Sequence, residues 1–310
     1  MEPSYLGLHH SGELSDRCRR LVRVMESCSL CPRECRVNRL KGETGYCGTG
    51  RRASVASYNA HFGEEAPLVG RSGSGTIFLS SCNLLCSFCQ NSEISHSAAG
   101  VEVEPEHLAG IMLHLAEMGC HNINFVTPSH VVPQIVEALI VAVEQGLNIP
   151  LVYNSSGYDS RETLETLEGI FDIYMPDFKF WDSKWSNRFC NAGDYRKVAT
   201  EAVREMHRQV GDLLIDSDGI AMKGLLVRHL VMPNRVAGTA RIMEFIATEI
   251  SPNTYVNVMD QYRPCFNAGR DELIKRPLRS REYEEAVDAA KKGGLGRLDS
   301  GNRVRLIYMQ

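Results

Sequence analysis

Three cysteines, Cys82, Cys86 and Cys89, stand in C-x3-C-x2-C spacing within one short stretch of this 310-residue chain. Thiolates that close together in a loop can wrap a single metal cluster. Three ligands leave one iron of a four-iron cluster without a protein donor. An open metal position serves chemistry, whereas a closed one serves structure. The spacing also admits a zinc knuckle, with His96 as the candidate fourth ligand, and a cluster that only passes electrons. A second set, Cys28, Cys31, Cys35 and Cys47, follows C-x2-C-x3-C-x11-C spacing. Four thiolates are compatible with structural zinc or with an auxiliary iron–sulfur cluster; buried free thiols are the inert alternative. Gly48, directly after Cys47, is expected to let backbone amides approach sulfur.

These residues need elements to hold them. Ile77, Phe78 and Leu79 form a short β-rich run, so a strand leads into the Cys82 loop. Downstream, Leu108, Ile111, Met112, Leu115 and Met118 share one helical face. Residues 122–127 are strand-like and stop at Pro128. Residues 131–145 are helical, with Val132, Ile135, Val136, Leu139, Ile140 and Val143 facing inward. Strands are expected at 149–154, 170–175, 225–232 and 255–259, and helices at 159–167, 194–210 and 238–250. Asp159 and Glu162 have capping-box spacing, and 213–222 suggests an inserted hairpin. Six strands alternating with helices imply a parallel sheet with crossover helices.

In such sheets chemistry gathers at the carboxyl ends of the strands. Those ends are polar here: Thr127-Pro-Ser-His130, Asn154-Ser-Ser-Gly157, Met175-Pro-Asp177-Phe-Lys179 and Arg228-His229. Met259 lies on the last strand as an adenine contact or a core residue. Ahead of the first strand, Glu64 and Glu65 are either a substrate or proton site or a solvated face. Gly73 and Gly75 are expected to let the backbone approach the cluster or the substrate. Cys265, just past the last strand, is a thiol near the substrate or an inert one, and His229 and Tyr262 are lesser candidates. A helix at 280–292 is expected to cover the open edge of the sheet. The chain therefore divides into an extension and cysteine-rich module (1–75), a core barrel (76–260) and a covering segment (261–310).

The whole-chain properties narrow the field. Hydrophobic content of 43% supports a sizeable core. A formal charge of -4, from 34 basic and 38 acidic residues, gives no electrostatic case for nucleic-acid binding. No apolar run is long enough for a transmembrane helix, and the first residues do not read as a signal peptide. Seven of the eleven cysteines fall into the two sets, which points to metal ligation and a reducing cytoplasm rather than a disulfide framework.

C-x3-C-x2-C with Phe88 before its third cysteine resembles the signature of radical S-adenosylmethionine (SAM) enzymes. The resemblance implies a [4Fe-4S] cluster on Cys82, Cys86 and Cys89, whose open iron is chelated by SAM. Reductive cleavage of SAM would give a 5′-deoxyadenosyl radical that abstracts hydrogen from a substrate. It implies an α/β fold, a partial (β/α)6 radical-SAM-type barrel behind the N-terminal Cys-rich module. It also implies an electron donor such as flavodoxin or ferredoxin.

At whole-chain level the sequence resembles the uncharacterised pyruvate formate-lyase-activating-enzyme-like family of radical proteins. The motifs are Cys28-Ser-Leu-Cys31-Pro-Arg-Glu-Cys35, Cys82 to Asn91, Val126 to His130, Val152 to Tyr158, Met175 to Lys179 and Asp260 to Cys265. By this resemblance Thr127, Asn154, Asp177, Lys179 and Arg228 contact SAM. The segment Thr127-Pro-Ser stands where the superfamily places Gly-Gly-Glu, and Gly73-Ser-Gly-Thr76 lacks the arginine usual in activases. The implied function is an oxidoreductase-like radical SAM enzyme that abstracts hydrogen from a protein or peptide, a glycine among the candidates. The alternatives are a radical enzyme acting on a small molecule or RNA, and a non-catalytic iron–sulfur or zinc scaffold.

Overall fold

The structure, a computed structural model, describes residues 2–97 and 99–299. Its strands are β1 (Ala53–His61), β2 (Ser74–Leu79), β3 (Val101–Val103), β4 (Ile123–Val126), β5 (Leu151–Asn154), β6 (Ile173–Tyr174), β7 (Leu214–Ile215), β8 (Ala221–Leu230), β9 (Tyr255–Met259) and β10 (Arg297–Leu298). They form one sheet in the order β10-β9-β8-β6-β5-β4-β2-β1-β3, with β7 paired on β8. From β2 to β10 every neighbouring pair in that order is parallel. The six expected strands therefore sit side by side in chain order as an open, barrel-like sheet. Ile123, Phe125, Leu151, Val152, Tyr153, Ile173 and Tyr174 are all buried, as strands covered on both faces must be.

The outer layer comes from the crossover helices. Pro105 and Pro133 sit in the first turns of the Pro105–Glu117 and Val132–Glu144 helices, where a missing N–H costs nothing. The Tyr195–Val210 helix follows β6. Among the described residues, no helix is long and apolar enough to cross a membrane.

Several local expectations are corrected. β1 is antiparallel to β2, and β3 to β1. The sequence hid β1 because Ala53-Ser-Val-Ala-Ser-Tyr-Asn carries few large apolar side chains. The helix expected from 159 has Ser160 as its N-cap, accepting from the Thr163 amide. Asp159 is instead buried, accepting from Tyr153 Oη (2.9 Å) and Ser155 Oγ (2.6 Å). Met118 is 50% exposed, because its helix ends at Glu117. The helix expected over 238–250 begins at Thr239 and widens into a π turn at Ile246–Ile250. The Ser183–Cys190 helix was not anticipated. The far edge of the sheet is extended by β10 on β9, while the Ser280–Lys292 helix packs on the Thr239–Phe245 helix.

Gly75 serves the sheet, not a ligand. A Cβ there would lie 2.7 Å from the Asn122 carbonyl and 3.1 Å from Leu115, so glycine lets β2 close onto its neighbours. Gly73, at φ +85, sits against Phe62.

Candidate active site

A cavity of about 400 Å³ opens at the carboxyl ends of the parallel strands. Cys82, Cys86 and Cys89 enter it from the loop after β2. Thr127 comes from the end of β4 and Asn154, Ser155 and Ser156 from the end of β5. Asp177 and Lys179 follow β6, Arg228 lies on β8, and Asn257 and Met259 lie on β9. Eight expected site residues, spread over positions 82 to 228, are thus brought to one cavity.

The cysteine loop is held by unusual backbone. Ser81 (φ 73) and Leu85 (φ 52) are left-handed without being glycine. The Leu84 amide donates to Cys82 Sγ at 3.3 Å. The Ser81 amide donates to Ile94 O and the Ser87 amide to Phe189 O, each at 2.8 Å. Phe88 is buried edge-on against Phe180 and Phe189. Burial and the neighbouring Cys86 push the Cys82 thiol up to about 12. The Cys190 thiol, then burial, push Cys86 well up. Burial also raises Cys89, although Ser95 opposes it. Thiols so disfavoured as anions become good ligands only when a cation takes the proton's place. His96 is bound to Ser95 Oγ (2.9 Å) and lies tilted against the Phe266 ring (centroids 4.4 Å apart), and it does not line the cavity.

The opposite wall is polar and strained. Thr127 has φ 63, costly for a β-branched residue. Its amide donates to Asn154 O at 2.8 Å. Gly157 is required at φ +72, since a Cβ there would stand 2.3 Å from the Asp177 carbonyl. Tyr195 Oη reaches the Ser156 and Asp177 carbonyls and accepts from the Lys179 amide, all at 2.9 Å, pinning two strand ends together. Lys179 Nζ lies 2.5 Å from Asp177 Oδ2. Burial opposes the lysine's charge, but Asp177 and Cys86 outweigh it and hold the ammonium above its usual range. Ser156 Oγ is buried without a partner among the described residues.

Arg228 is in the cavity but already engaged. Its guanidinium is bidentate on Glu65 (2.7 and 2.6 Å), and its Nη2 also meets Glu64. Asn257 Nδ2 adds a 2.7 Å bond to Glu65. Burial alone would raise the Glu65 carboxyl; Arg228 and Asn257 reverse that and hold it low. Glu64 and Glu65 are therefore a cavity wall, not a solvated face.

The second cysteine set lies elsewhere. Cys28, Cys31, Cys35 and Cys47 line one small cavity of about 10 Å³ with Leu30, Val37 and His130. Burial pushes Cys31 up to about 12. Glu34 (φ 39) and Arg36 (φ 57) flank Cys35 in left-handed conformations. The close approach expected at Gly48 occurs at Gly45, where a Cβ would fall 2.6 Å from Cys35 Sγ. The Tyr46 amide donates to that sulfur at 3.2 Å. Arg39 is 1% exposed and bonds only to the Gly50 and His130 carbonyls and, at 4.0 Å, to Cys28 Sγ. Among the described residues it has no carboxylate partner, so an anionic thiolate centre would supply the counter-charge that a buried cation needs. Among the described residues no three His, Cys, Asp or Glu side chains clasp a single-ion position; the two cysteine sets line cavities instead.

Arg33 joins the two regions. It donates to Asn83 O in the Cys82 loop (2.9 Å), and to Asn191 O (2.5 Å) and Cys190 O (3.0 Å). Its guanidinium also stacks over Tyr46 and Tyr158. Cys190 itself was missed by sequence reasoning. It is buried with its sulfur 3.3 Å from Cys86 Sγ, and nothing around Asn-Arg-Phe-Cys190 signals it. Of the lesser candidates, Cys265 does not line the cavity. Tyr262 donates to Ile274 O at 2.6 Å. His229 is buried between Phe178 O (2.7 Å) and Thr239 Oγ1 (2.8 Å).

The donor set fits a cluster with a zwitterionic, hydroxyl-bearing cofactor: three thiols, a partnerless Ser156 hydroxyl, and the Asp177–Lys179 pair beside them. Residues 76–219 match the model of the Radical SAM superfamily. An uncharacterized protein of Methanocaldococcus jannaschii, MJ0674, is 32% identical over 280 residues, covering 88% of this chain and 76% of that protein. Among solved structures, methylornithine synthase (PylB) aligns with TM-score 0.45 and 13% identity, over 76% of this chain and 77% of its own.

Proposed function

The chain belongs to the radical SAM superfamily, and on that premise we propose that the strand-end cavity is its catalytic site. Cys82, Cys86 and Cys89 hold a [4Fe-4S] cluster there, and Thr127, Asn154, Asp177, Lys179 and Arg228 face SAM. The observation that carries this reading is the convergence of three loop thiols and five polar strand-end residues on one cavity. When bound and reduced by one electron from a donor such as flavodoxin or ferredoxin, cluster and SAM together supply a 5′-deoxyadenosyl radical. The chain's own residues do the rest. Lys179 offers a cation to a carboxylate, and Asp177 offers an acceptor to an ammonium or hydroxyl. The Thr127 backbone, fixed by Asn154, sets the floor. Phe88 and its aromatic neighbours keep water from the loop. Cys28, Cys31, Cys35 and Cys47 hold a second metal, zinc or an auxiliary cluster, in the N-terminal module of residues 1–75.

The substrate of the activase-like reading is a protein or peptide glycine. A second reading, a small polar substrate, is favoured by one observation. Glu64, Glu65 and Asn257 line the cavity wall around Arg228, giving side-chain recognition that a bare glycine backbone does not need.

The test uses anaerobically purified, iron-reconstituted protein with reductant and SAM. 5′-Deoxyadenosine should form and vanish on Cys82→Ala, Cys86→Ala and Cys89→Ala together. Product that survives the triple change overturns the site; no SAM binding at all returns the scaffold reading. Deuterium transferred into 5′-deoxyadenosine from a labelled peptide or small molecule separates the two substrate classes.

A further inference from the structure

His130 is a residue that neither cysteine motif explains. It sits just past β4, after Thr127-Pro-Ser, and is 1% exposed. His130 lines the same small cavity as Cys28, Cys31, Cys35 and Cys47, although it follows β4 and lies far from them in the chain. Nε2 lies 2.9 Å from Ser80 O. A carbonyl can only accept, so Nε2 carries the proton, and in the neutral ring Nδ1 keeps its lone pair. That Nδ1 is buried with no hydrogen-bond partner among the described residues. A buried acceptor without a donor is costly. An imidazole that binds a metal through one nitrogen typically anchors the other N–H on a carbonyl or carboxylate, and this is the arrangement at Ser80.

We propose that His130 Nδ1 takes one of the four donor positions of the metal centre formed with the N-terminal thiols, so that this centre is shared between the module and the barrel. The inference rests on the reading that those thiols bind metal. Cobalt(II) is a suitable probe, because thiolate and imidazole ligands leave distinct absorption. The experiment uses the full chain carrying Cys82→Ala, Cys86→Ala and Cys89→Ala, which confines cobalt to the N-terminal set. The expected result is thiolate-to-cobalt charge-transfer bands in this background. Adding His130→Ala should then shift the d–d bands and weaken cobalt binding by about 10- to 100-fold or more.

His130→Gln retains a donor for Ser80 O and removes the imidazole; it should behave as the alanine variant does, and it decides the matter if the latter does not fold. In the chain with His130 intact, pulsed electron paramagnetic resonance should show a cobalt-coupled nitrogen that changes on 15N-histidine labelling. Unaltered bands and affinity in the variants, or no labelled-histidine coupling, overturn the proposal while leaving the four-thiol site standing. Absence of any bound cobalt overturns both.

Discussion

The loop of Cys82 to Cys89 and the module of Cys28 to Cys47 are built alike and end differently. Each carries two left-handed non-glycine residues beside its cysteines, and each has a backbone amide donating to a sulfur. Yet the first faces a cavity of about 400 Å³ rimmed by polar strand ends, and the second a cavity of about 10 Å³ walled by Leu30, Val37 and Gly45. The ligand type is the same in both. On the proposed reading, what would separate a catalytic site from a structural or relay site is how much space and polarity remain beside the sulfurs.

The largest effect that bears on this contrast is in the sulfurs themselves. Alanine at Cys82, Cys86 and Cys89 should remove one four-iron cluster and all 5′-deoxyadenosine. Alanine at Cys28, Cys31, Cys35 and Cys47 should remove a second metal and leave measurable cleavage, read by metal content and chromatography. Equal and total loss from both sets would erase the distinction.

Next comes the polar wall that makes the open site open. Arg228→Met strands two carboxylates, Glu64 and Glu65, and should cost about 3–5 kcal/mol in urea unfolding. Adding Glu65→Gln should restore part of the loss. A single variant as stable as the parent would mean that the charges are not coupled.

Behind that wall His229 is neutral and satisfied on both nitrogens, and burial lowers it to about 4 from 6.5. Between these values the unfolded chain binds the extra proton, so stability should fall as pH drops from 6.5 to 4, by roughly 3 kcal/mol. His229→Gln should flatten that slope; a parallel curve would contradict the assignment.

In the closed module, Gly45→Ala places a Cβ 2.5 Å from Cys35 Cβ. It should cost about 1–3 kcal/mol and lower metal content there, while SAM binding to the barrel changes less. The smallest effect is at Thr127. Replacing it by glycine relieves the φ 63 strain against the entropy glycine adds to the unfolded chain, a net change within about 1 kcal/mol. The same change should weaken SAM affinity through the lost hydroxyl. Unchanged affinity would remove Thr127 from the cofactor contacts.

The sequence displays what is local and hides what is distant. The cysteine spacings, the β–α alternation and the polar strand ends are short-range patterns, and the sheet follows them strand by strand. Cys190 against Cys86 spans 104 residues and Arg228 on Glu65 spans 163, and no periodicity encodes such pairings. Asp159 was misassigned for a related reason. Its capping-box spacing is real, but burial beside Tyr153 and Ser155 offered its carboxylate better partners than the first turn of a helix. β1 escaped notice because its residues are small and its partner supplies the pairing.

Arg33 carries a consequence for transplantation. Its three carbonyl partners lie on segments that follow β2 and close the Ser183–Cys190 helix. Tyr5 donates to Ile149 O, and β1 is zipped to β2 along its length. A barrel excised from its start through His61 would expose those carbonyls and the unpaired edge of β2, so it should arrive as an aggregate and not as a minimal enzyme. The module is less an appendage bolted to a finished barrel than the last course of its masonry.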